Sequence, residues 1–371
     1  MEIVGWSLLA VSVVYTLLLV AALYGYFRKI TSGNANHVLL RTAVVVAARN
    51  EEENVSALLK SLSAQTRKPD EIIFCDDDSQ DNTAAVIANT ANQLSLNVRL
   101  VKSDGIGKKH ALTRAISMCN ADIIIVTDAD CTVPANWIHV HVTAYNEPQI
   151  VYVAGMVDAI ESEGISAVVA IENIFLQIVS AGLGKLGFPF LSNGANMSFR
   201  KSWFESSGGF QGDELASGDD VYLLKRAAAR PNSIAWLSGT CVVRTRAAIT
   251  FGDQVAQRSR WLSKILKMQG TFAILAGSAL LAVQMIVPLF VIRLVVFGEM
   301  ESALTVAVIL KSFIELLLLS LAVPFFKRPV LLLFYPLAVI VYPAVAVISF
   351  VKVLSGNTQW KGRTLRNGRH E

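Results

Sequence analysis

The sequence predicts an α/β fold: a Rossmann-like, mostly parallel sheet, framed by α-helical transmembrane segments. Three observations predict it. Hydrophobic residues make up 53% of the 371 and charged residues only 17%, against about 25% charged in soluble domains. That apolar excess calls for a bilayer or an oversized core, and it excludes disorder. Uncharged stretches long enough to cross a bilayer stand near both ends of the chain. Between them, β-branched apolar runs alternate with segments of helical periodicity, the order that builds a parallel sheet with helices on both faces.

The elements follow in chain order. Ile3 to Phe27 carries no charge and exceeds the ~20 residues that span a bilayer. Glu2 precedes it and Arg28 and Lys29 follow, the reverse of a cleaved signal peptide, which puts the following residues in the cytosol. Residues 1–29 are therefore read as an N-terminal transmembrane helix and 30–270 as one cytosolic domain. In that domain Thr42 to Ala48 reads as a strand buried on both faces. Glu51 to Gln65 reads as a helix with Val55, Leu58, Leu59 and Leu62 on one side. Strands at Glu71 to Cys75, Asn97 to Val101 and Asp122 to Thr127 alternate with helices at Asn82 to Leu94 and Lys108 to Met118. Pro134 suits the first turn of a further helix.

Residues 271–352 read as about three more transmembrane segments: Thr271 to Ile292, Ser302 to Phe326 and Val330 to Val351. Lys311 and Glu315 interrupt the second and, four apart, share a helix face on which they can pair. Residues 353–371 form a basic tail. If every segment spans, that tail ends opposite Arg28, although Lys361, Arg363, Arg366 and Arg369 favour the cytosol. A re-entrant last segment, which contains Pro336 and Pro343, would reconcile the two.

Composition also excludes functions. The net charge is 33 − 29 = +4 with no basic, aromatic-interleaved stripe, so nucleic acid is not an expected partner. The four cysteines show no CxxC spacing and read as small buried thiols rather than zinc ligands or disulfides. His139 and His141, two apart, face different sides of a helix and do not make a joint metal site.

Ligands of parallel sheets bind at the carboxyl ends of the strands, and acidic clusters gather there. No GxGxxG follows the first strand, and Asp104 to Lys109 lacks the spacing of a phosphate loop. Asp128-Ala129-Asp130 can bring two carboxylates to one divalent cation, or can be a turn with a helix cap. Asp76-Asp77-Asp78-Ser79-Gln80-Asp81 crowds four carboxylates, more than capping needs, and points to a nucleotide contact. Asp219-Asp220 can complement a helix dipole or supply a general base. Gln257-Arg258-Ser259-Arg260-Trp261 can be a juxtamembrane anchor, or can close over a diphosphate and a sugar.

These clusters in this order resemble family 2 glycosyltransferases of the inverting GT-A fold. The resemblance runs from about Val44 to Trp261 and includes Ala48-Arg49-Asn50-Glu51-Glu52, Gly107-Lys108, Asn193-Gly194-Ala195-Asn196-Met197 and Gly208-Gly209-Phe210 as well. It departs at Asp78, where the family usually has glycine, and at Asp219, where it usually has glutamate. The resemblance implies that Asp76 and Asp77 hold the uridine of a UDP-sugar with Arg49, Asn50 and Glu51, and that Asn196 belongs to the substrate site. It implies that Lys108, Asp128 and Asp130 address the diphosphate, the aspartates through Mg2+ or Mn2+. Asp220, beside Asp219, would be the base, and Gln257, Arg260 and Trp261 would cover the site. With the membrane frame, and Gln359 to Arg363 near the end, the chain looks like ceramide glucosyltransferase and bacterial glycolipid or carotenoid glucosyltransferases. That implies an integral membrane enzyme with a lipid acceptor. Processive synthases of the cellulose and hyaluronan kind are the alternative, and a non-catalytic nucleotide-sugar-binding membrane protein is the alternative of another class.

Overall fold

The computed structural model describes the backbone of residues 2–28, 39–160, 165–212, 218–237, 239, 241–246, 250–354, 357–360, 363–366 and 369–370. Lys29, Ser217, Lys361 and Gly362 lie outside the described residues, as do the side chains of 264–278 and 354–371. In chain order the elements are α1 (Glu2–Phe27), β1 (Thr42–Ala48), α2 (Val55–Ser63), β2 (Glu71–Asp76), α3 (Thr83–Gln93), β3 (Val98–Lys102), α4 (Lys108–Ser117), β4 (Ile123–Asp128) and α5 (Trp137–Ala144). There follow β5 (Tyr152–Ala154), β6 (Val157–Ala159), α6 (Ile165–Lys185), β7 (Met197–Arg200), α7 (Lys201–Ser206), α8 (Asp219–Ala228), β8 (Ile234–Trp236) and β9 (Val243–Thr245). Last come α9 (Phe251–Gln284), α10 (Ile286–Ile292), α11 (Ser302–Phe326), α12 (Tyr335–Leu354) and three short strands, β10 (Asn357–Trp360), β11 (Arg363–Arg366) and β12 (Arg369–His370).

The chain divides into two compact units. Arg28–Ile160 and Gly187–Arg246 form the α/β unit. Its seven-stranded sheet runs β3-β2-β1-β4-β7-β5-β8. β3, β2, β1 and β4 are mutually parallel, and β7 lies antiparallel between β4 and β5. The apolar runs of β1, β2 and β4 are inaccessible on both faces because each face has its own core. Val44, Val46 and Ile125 pack with Leu58, Leu59 and Leu62 of α2, Ile87 of α3 and Trp137 of α5. Val45, Ile73 and Ile124 pack with Ala111 and Leu112 of α4, Trp203 and Phe204 of α7 and Leu223 of α8. Each aliphatic side chain so buried contributes about 1.5–3 kcal/mol. Pro134 sits three residues before α5, where its carbonyl accepts the Trp137 N–H; the turn, not the helix, uses its fixed φ.

Met1–Phe27, Glu161–Leu186 and Ala247–Glu371 form the helical unit. Among the described residues five helical stretches are long and apolar enough to cross a membrane: Val4–Phe27, Ser166–Lys185, Ala279–Phe297, Ser302–Phe326 and Pro329–Val353. α6 lies inside the 30–270 stretch, yet it clusters with these helices. Its apolar run from Ala167 to Ile178 is interrupted by Glu172, Asn173 and Gln177. The helix read from Thr271 starts at Phe251, and among the described residues its membrane-length stretch is Ala279–Phe297. α1 and α6 touch backbone to backbone: a Cβ on Gly25 would overlap the Gly182 carbonyl. Lys311 and Glu315 pair at 2.8 Å, and the hydroxyls of Tyr15 and Tyr335 each donate to the same carboxylate at 2.7 Å. One buried glutamate thus ties α11 to α1 and α12.

Candidate active site

The loops that follow β1 and β2 are laced together. Arg49 Nη1 donates to the carbonyls of Asp77 and Asp78, at 2.5 and 2.9 Å. The Asn50 N–H donates to Ser79 Oγ, the Gln80 N–H to Asn50 Oδ1 and the Glu51 N–H to Thr83 Oγ1, at 2.7 to 3.1 Å. Asn50 and Asp78 have φ of 52° and 61°, in the left-handed region where Asn and Asp are the best tolerated after glycine. Of the clustered carboxylates, Asp81 receives Thr83, the turn-and-cap role. Asp76, nearly buried, receives the N–H and hydroxyl of Ser79.

Asp77 is 2% exposed and accepts the Gly107 N–H at 2.9 Å. Gly107, at φ 99°, adopts a conformation that L side chains rarely enter. It delivers the chain into α4, whose first residue is Lys108. Lys108 Nζ stands 2.7 Å from Asp128 Oδ1 and 3.5 Å from Asp219 Oδ2. Burial opposes the charge on Lys108, but Asp128, Asp219 and then Asp220 outweigh it and raise its pKa above the usual lysine value. Asp220 Oδ2 accepts the Gly194 N–H at 3.1 Å. At Gly194 a Cβ would lie 3.0 Å from Asp219 Oδ2 and 3.2 Å from Lys108 Nζ, so any larger residue would press on those two side chains. Two residues past Asp128, Asp130 Oδ2 accepts the Thr245 hydroxyl at 3.1 Å. Carboxylates from β4 and α8, far apart in sequence, therefore gather around one lysine at the carboxyl end of the parallel strands, and Asp77, just past β2, holds the glycine that precedes it. The Asp128 side chain is 39% exposed there and that of Asp219 5%.

Comparison with known proteins agrees with this architecture. The family model described as glycosyl transferase family 2 matches residues 43–207. Residues 43–207 thus resemble a family 2 glycosyltransferase domain. It is 40% identical over 93 residues to a 4,4'-diaponeurosporenoate glycosyltransferase of Staphylococcus haemolyticus, covering 24% of each chain. It is 32% identical over 98 residues to an undecaprenyl-phosphate 4-deoxy-4-formamido-L-arabinose transferase of Serratia proteamaculans, covering 25% of this chain and 30% of that one. The match thus spans about a quarter to a third of the length of these curated relatives. In fold it is similar to a mannosyltransferase of Pyrobaculum calidifontis solved with GDP-Man and Mn2+, at a TM-score of 0.59 and 18% identity, over 94% of this chain and 99% of that one.

Within the matched stretch, Asn196 does something other than the sequence suggested. It is fully buried, and both ends of its amide are occupied. Oδ1 receives Trp137 Nε1 at 2.9 Å and His141 Nε2 at 2.8 Å, while Nδ2 donates to the carbonyls of Met156 and Cys241. Because Asn196 Oδ1 can only accept, His141 carries its proton on Nε2. Its Nδ1 then accepts from Ser198 Oγ at 2.8 Å, and Ser198 accepts the Tyr145 hydroxyl. Burial drives the His141 pKa down to about 4 against the opposing Asn196 bond. Asn196 fastens α5 beneath the site rather than lining it.

Gln257, Arg260 and Trp261 lie on the first turns of α9, in the helical unit. Burial lowers the Arg260 pKa, against the raising effect of Asp253. Among the described residues no group of three or more His, Cys, Asp or Glu is placed to hold a metal ion by itself. The sequence reading missed Thr245. It closes a short β-strand with no acidic or glycine signature of its own, and only the fold brings it to Asp130. All four cysteines are buried and free, and burial pushes Cys75 up to about 12.

Proposed function

We propose that the chain is a membrane-bound inverting glycosyltransferase that moves a sugar from a UDP-sugar to a lipid acceptor hydroxyl. The observation that carries this reading is the convergence of Asp77, Lys108, Asp128, Asp219 and Asp220 at the carboxyl ends of the strands. The relatives are named for transfer to a carotenoid acid and to undecaprenyl phosphate, which favours a lipid-soluble acceptor here. The five membrane-length helices favour residence in a membrane, and Arg28 and Lys29 after the first one favour a cytosolic α/β unit.

Asp76 and Asp77, held by the Arg49–Glu51 loop, would receive the uridine. Asp128 and Asp130 suit Mg2+ or Mn2+: two hard carboxylates one residue apart, with the remaining positions left to water and diphosphate oxygens. Bound there, the ion neutralises charge on the departing diphosphate. Lys108, permanently protonated between Asp128 and Asp219, adds a second positive charge beside the same phosphates. Asp220, half-buried and steadied by the Gly194 N–H, takes the proton of the acceptor hydroxyl. The acceptor oxygen bonds to the anomeric carbon as the bond to the diphosphate breaks, UDP leaves with the electron pair, and the configuration inverts.

UDP release by the purified full-length protein with Mn2+ and mixed membrane lipids tests this. Asp220→Asn should lower turnover by roughly 10²–10⁴-fold, the usual weight of a general base. Unchanged turnover would remove Asp220 from the mechanism. Mass spectrometry of the products should find a hexosyl lipid; a polysaccharide would identify a processive synthase instead, and no product would leave a nucleotide-sugar binder.

A further inference from the structure

A base that works on one hydroxyl needs its carboxylate held in one orientation, and the α/β unit holds Asp220 from several sides. Its Oδ2 accepts the Gly194 N–H at 3.1 Å and its Oδ1 the Val221 N–H at 2.8 Å. Gly194 sits in a tight turn. Asn193 Oδ1 accepts the Ala195 N–H, and the Asn193 carbonyl accepts the Asn196 N–H, both at 3.0 Å. The Asn196 side chain is itself fixed in the core. The turn is thus one tied piece, and whatever holds Ser192, the residue before it, also sets the N–H that faces Asp220.

Tyr152 holds Ser192. It lies in β5, between β7 and β8, where its partners in register are Phe199 and Ile234. Its side chain is fully buried, and its ring stands edge-on to Trp203 with the centroids 6.4 Å apart. The sheet therefore fixes the hydroxyl independently of α8. That hydroxyl is 2.8 Å from Ser192 Oγ, and 3.4 Å from both the Asp220 carbonyl and Met197 Sδ. One arrangement gives each hydroxyl proton an oxygen: Ser192 donates to Tyr152, and Tyr152 donates to the Asp220 carbonyl, a better acceptor than the thioether. Burial raises the Tyr152 pKa well above the usual tyrosine value, against the lowering bond from Ser192, and Asp220 and Asp219 raise it further. The hydroxyl therefore keeps the proton it donates. A closed circuit results, from Tyr152 to Ser192, along the turn to Gly194, across to the Asp220 carboxylate, and from the Asp220 carbonyl back to Tyr152.

We propose that Tyr152 is a positioning residue for sugar transfer: its buried hydroxyl, bonded to Ser192 and to the Asp220 carbonyl, sets the orientation in which the base meets the acceptor. The proposal rests on the assignment of Asp220 as base and adds two neutral hydroxyls that act through the backbone around it. A misplacement of about 1 Å can cost on the order of 10²-fold in rate. Nothing in the sequence marks Tyr152, which sits in a three-residue strand between uncharged neighbours.

Steady-state UDP release by the purified full-length protein tests this, with Mn2+, mixed membrane lipids and UDP-glucose, UDP-galactose or UDP-N-acetylglucosamine as donor. Tyr152→Phe keeps the ring and removes the hydroxyl. It should lower kcat at least tenfold, with the donor KM within twofold of the native value and the circular dichroism unchanged. Tyr145→Phe deletes an equally buried hydroxyl, the one on Ser198, and should keep the native kcat. Ser192→Ala breaks the same bond from the turn and should match Tyr152→Phe, and the two together should cost no more than either. Should Tyr152→Phe not fold, Ser192→Ala decides alone. In an Asp220→Asn background Tyr152→Phe should change the residual rate less than twofold. A kcat loss below tenfold in either variant would overturn the proposal, as would a loss that persists beside Asp220→Asn, or one carried by donor KM. Native turnover by Asp220→Asn itself would instead remove the catalytic reading on which the positioning role rests.

Discussion

The His141 network makes the stability of the α/β unit depend on pH in a calculable way. In the unfolded chain the imidazole titrates near its ordinary value of about 6.5. In the folded chain the value is depressed to about 4, because the ring is buried and its Nε2–H is committed to Asn196 Oδ1. Below pH 6.5 the unfolded state therefore binds the proton that the folded state refuses, and stability falls as pH falls. With those two values the loss is about 1.4 kcal/mol at pH 5.5 and about 2.6 kcal/mol at pH 4.5. His141→Gln keeps a donor and an acceptor near Asn196 and Ser198 but cannot titrate. It should cost stability at pH 7.5, through poorer geometry, and the gap to the native chain should close as the pH drops. Hydrogen exchange of α5 and β7 peptides in the full-length protein, followed by mass spectrometry between pH 4.5 and 7.5 with intrinsic exchange rates corrected, reads the two proteins side by side. A native-minus-variant difference that stays flat over that interval would refute the neutral, buried assignment of His141.

Three further outcomes follow from the site. Asp78→Gly relieves the left-handed backbone at φ 61° and loses only an exposed contact to Arg49, so its stability should stay within about 1 kcal/mol of the native chain; a melting experiment showing a loss above about 2 kcal/mol contradicts that account. Gly194→Ala places a methyl against Asp219 and Lys108, and it should reduce kcat/KM for the donor at least tenfold while the circular dichroism is unchanged. Thr245→Val removes the hydroxyl on Asp130; Mn2+ affinity measured by electron paramagnetic resonance should weaken by roughly 10–100-fold, as for other residues that orient metal ligands, and equal affinity would make Thr245 irrelevant to the ion.

The centre of the sheet was legible in the sequence because β1, β2 and β4 are buried on both faces and so are largely apolar. Thr42 to Ala48 coincides with β1, and the predicted helices at Asn82 and Lys108 begin within one residue of α3 and α4. The other half, built around antiparallel β7, was not legible: β5, β7 and β8 are three or four residues long, too short for a period to show. The carboxylates stood out because uncompensated charge at a strand end is costly. What a charge rests on left no such mark. Nothing in the residues around Asn196 says that its amide is saturated by Trp137, His141 and two carbonyls, and a motif position was read as a contact to substrate. The same holds for α6, whose apolar run suits a soluble core helix as well as a membrane one until its neighbours are known.

The Glu315 carboxylate has a bearing on how the chain is assembled. It accepts from Tyr15, a residue made 300 positions earlier, so α1 finds its polar partner only when α11 has been synthesised. Until then the Tyr15 hydroxyl lacks the acceptor it uses in the finished protein. A heterologous anchor of equal length and greasiness, grafted in place of residues 1–27, would hold the enzyme in the lipid yet leave this carboxylate one donor short. Assembly of the helical unit thus waits on two segments 300 residues apart meeting.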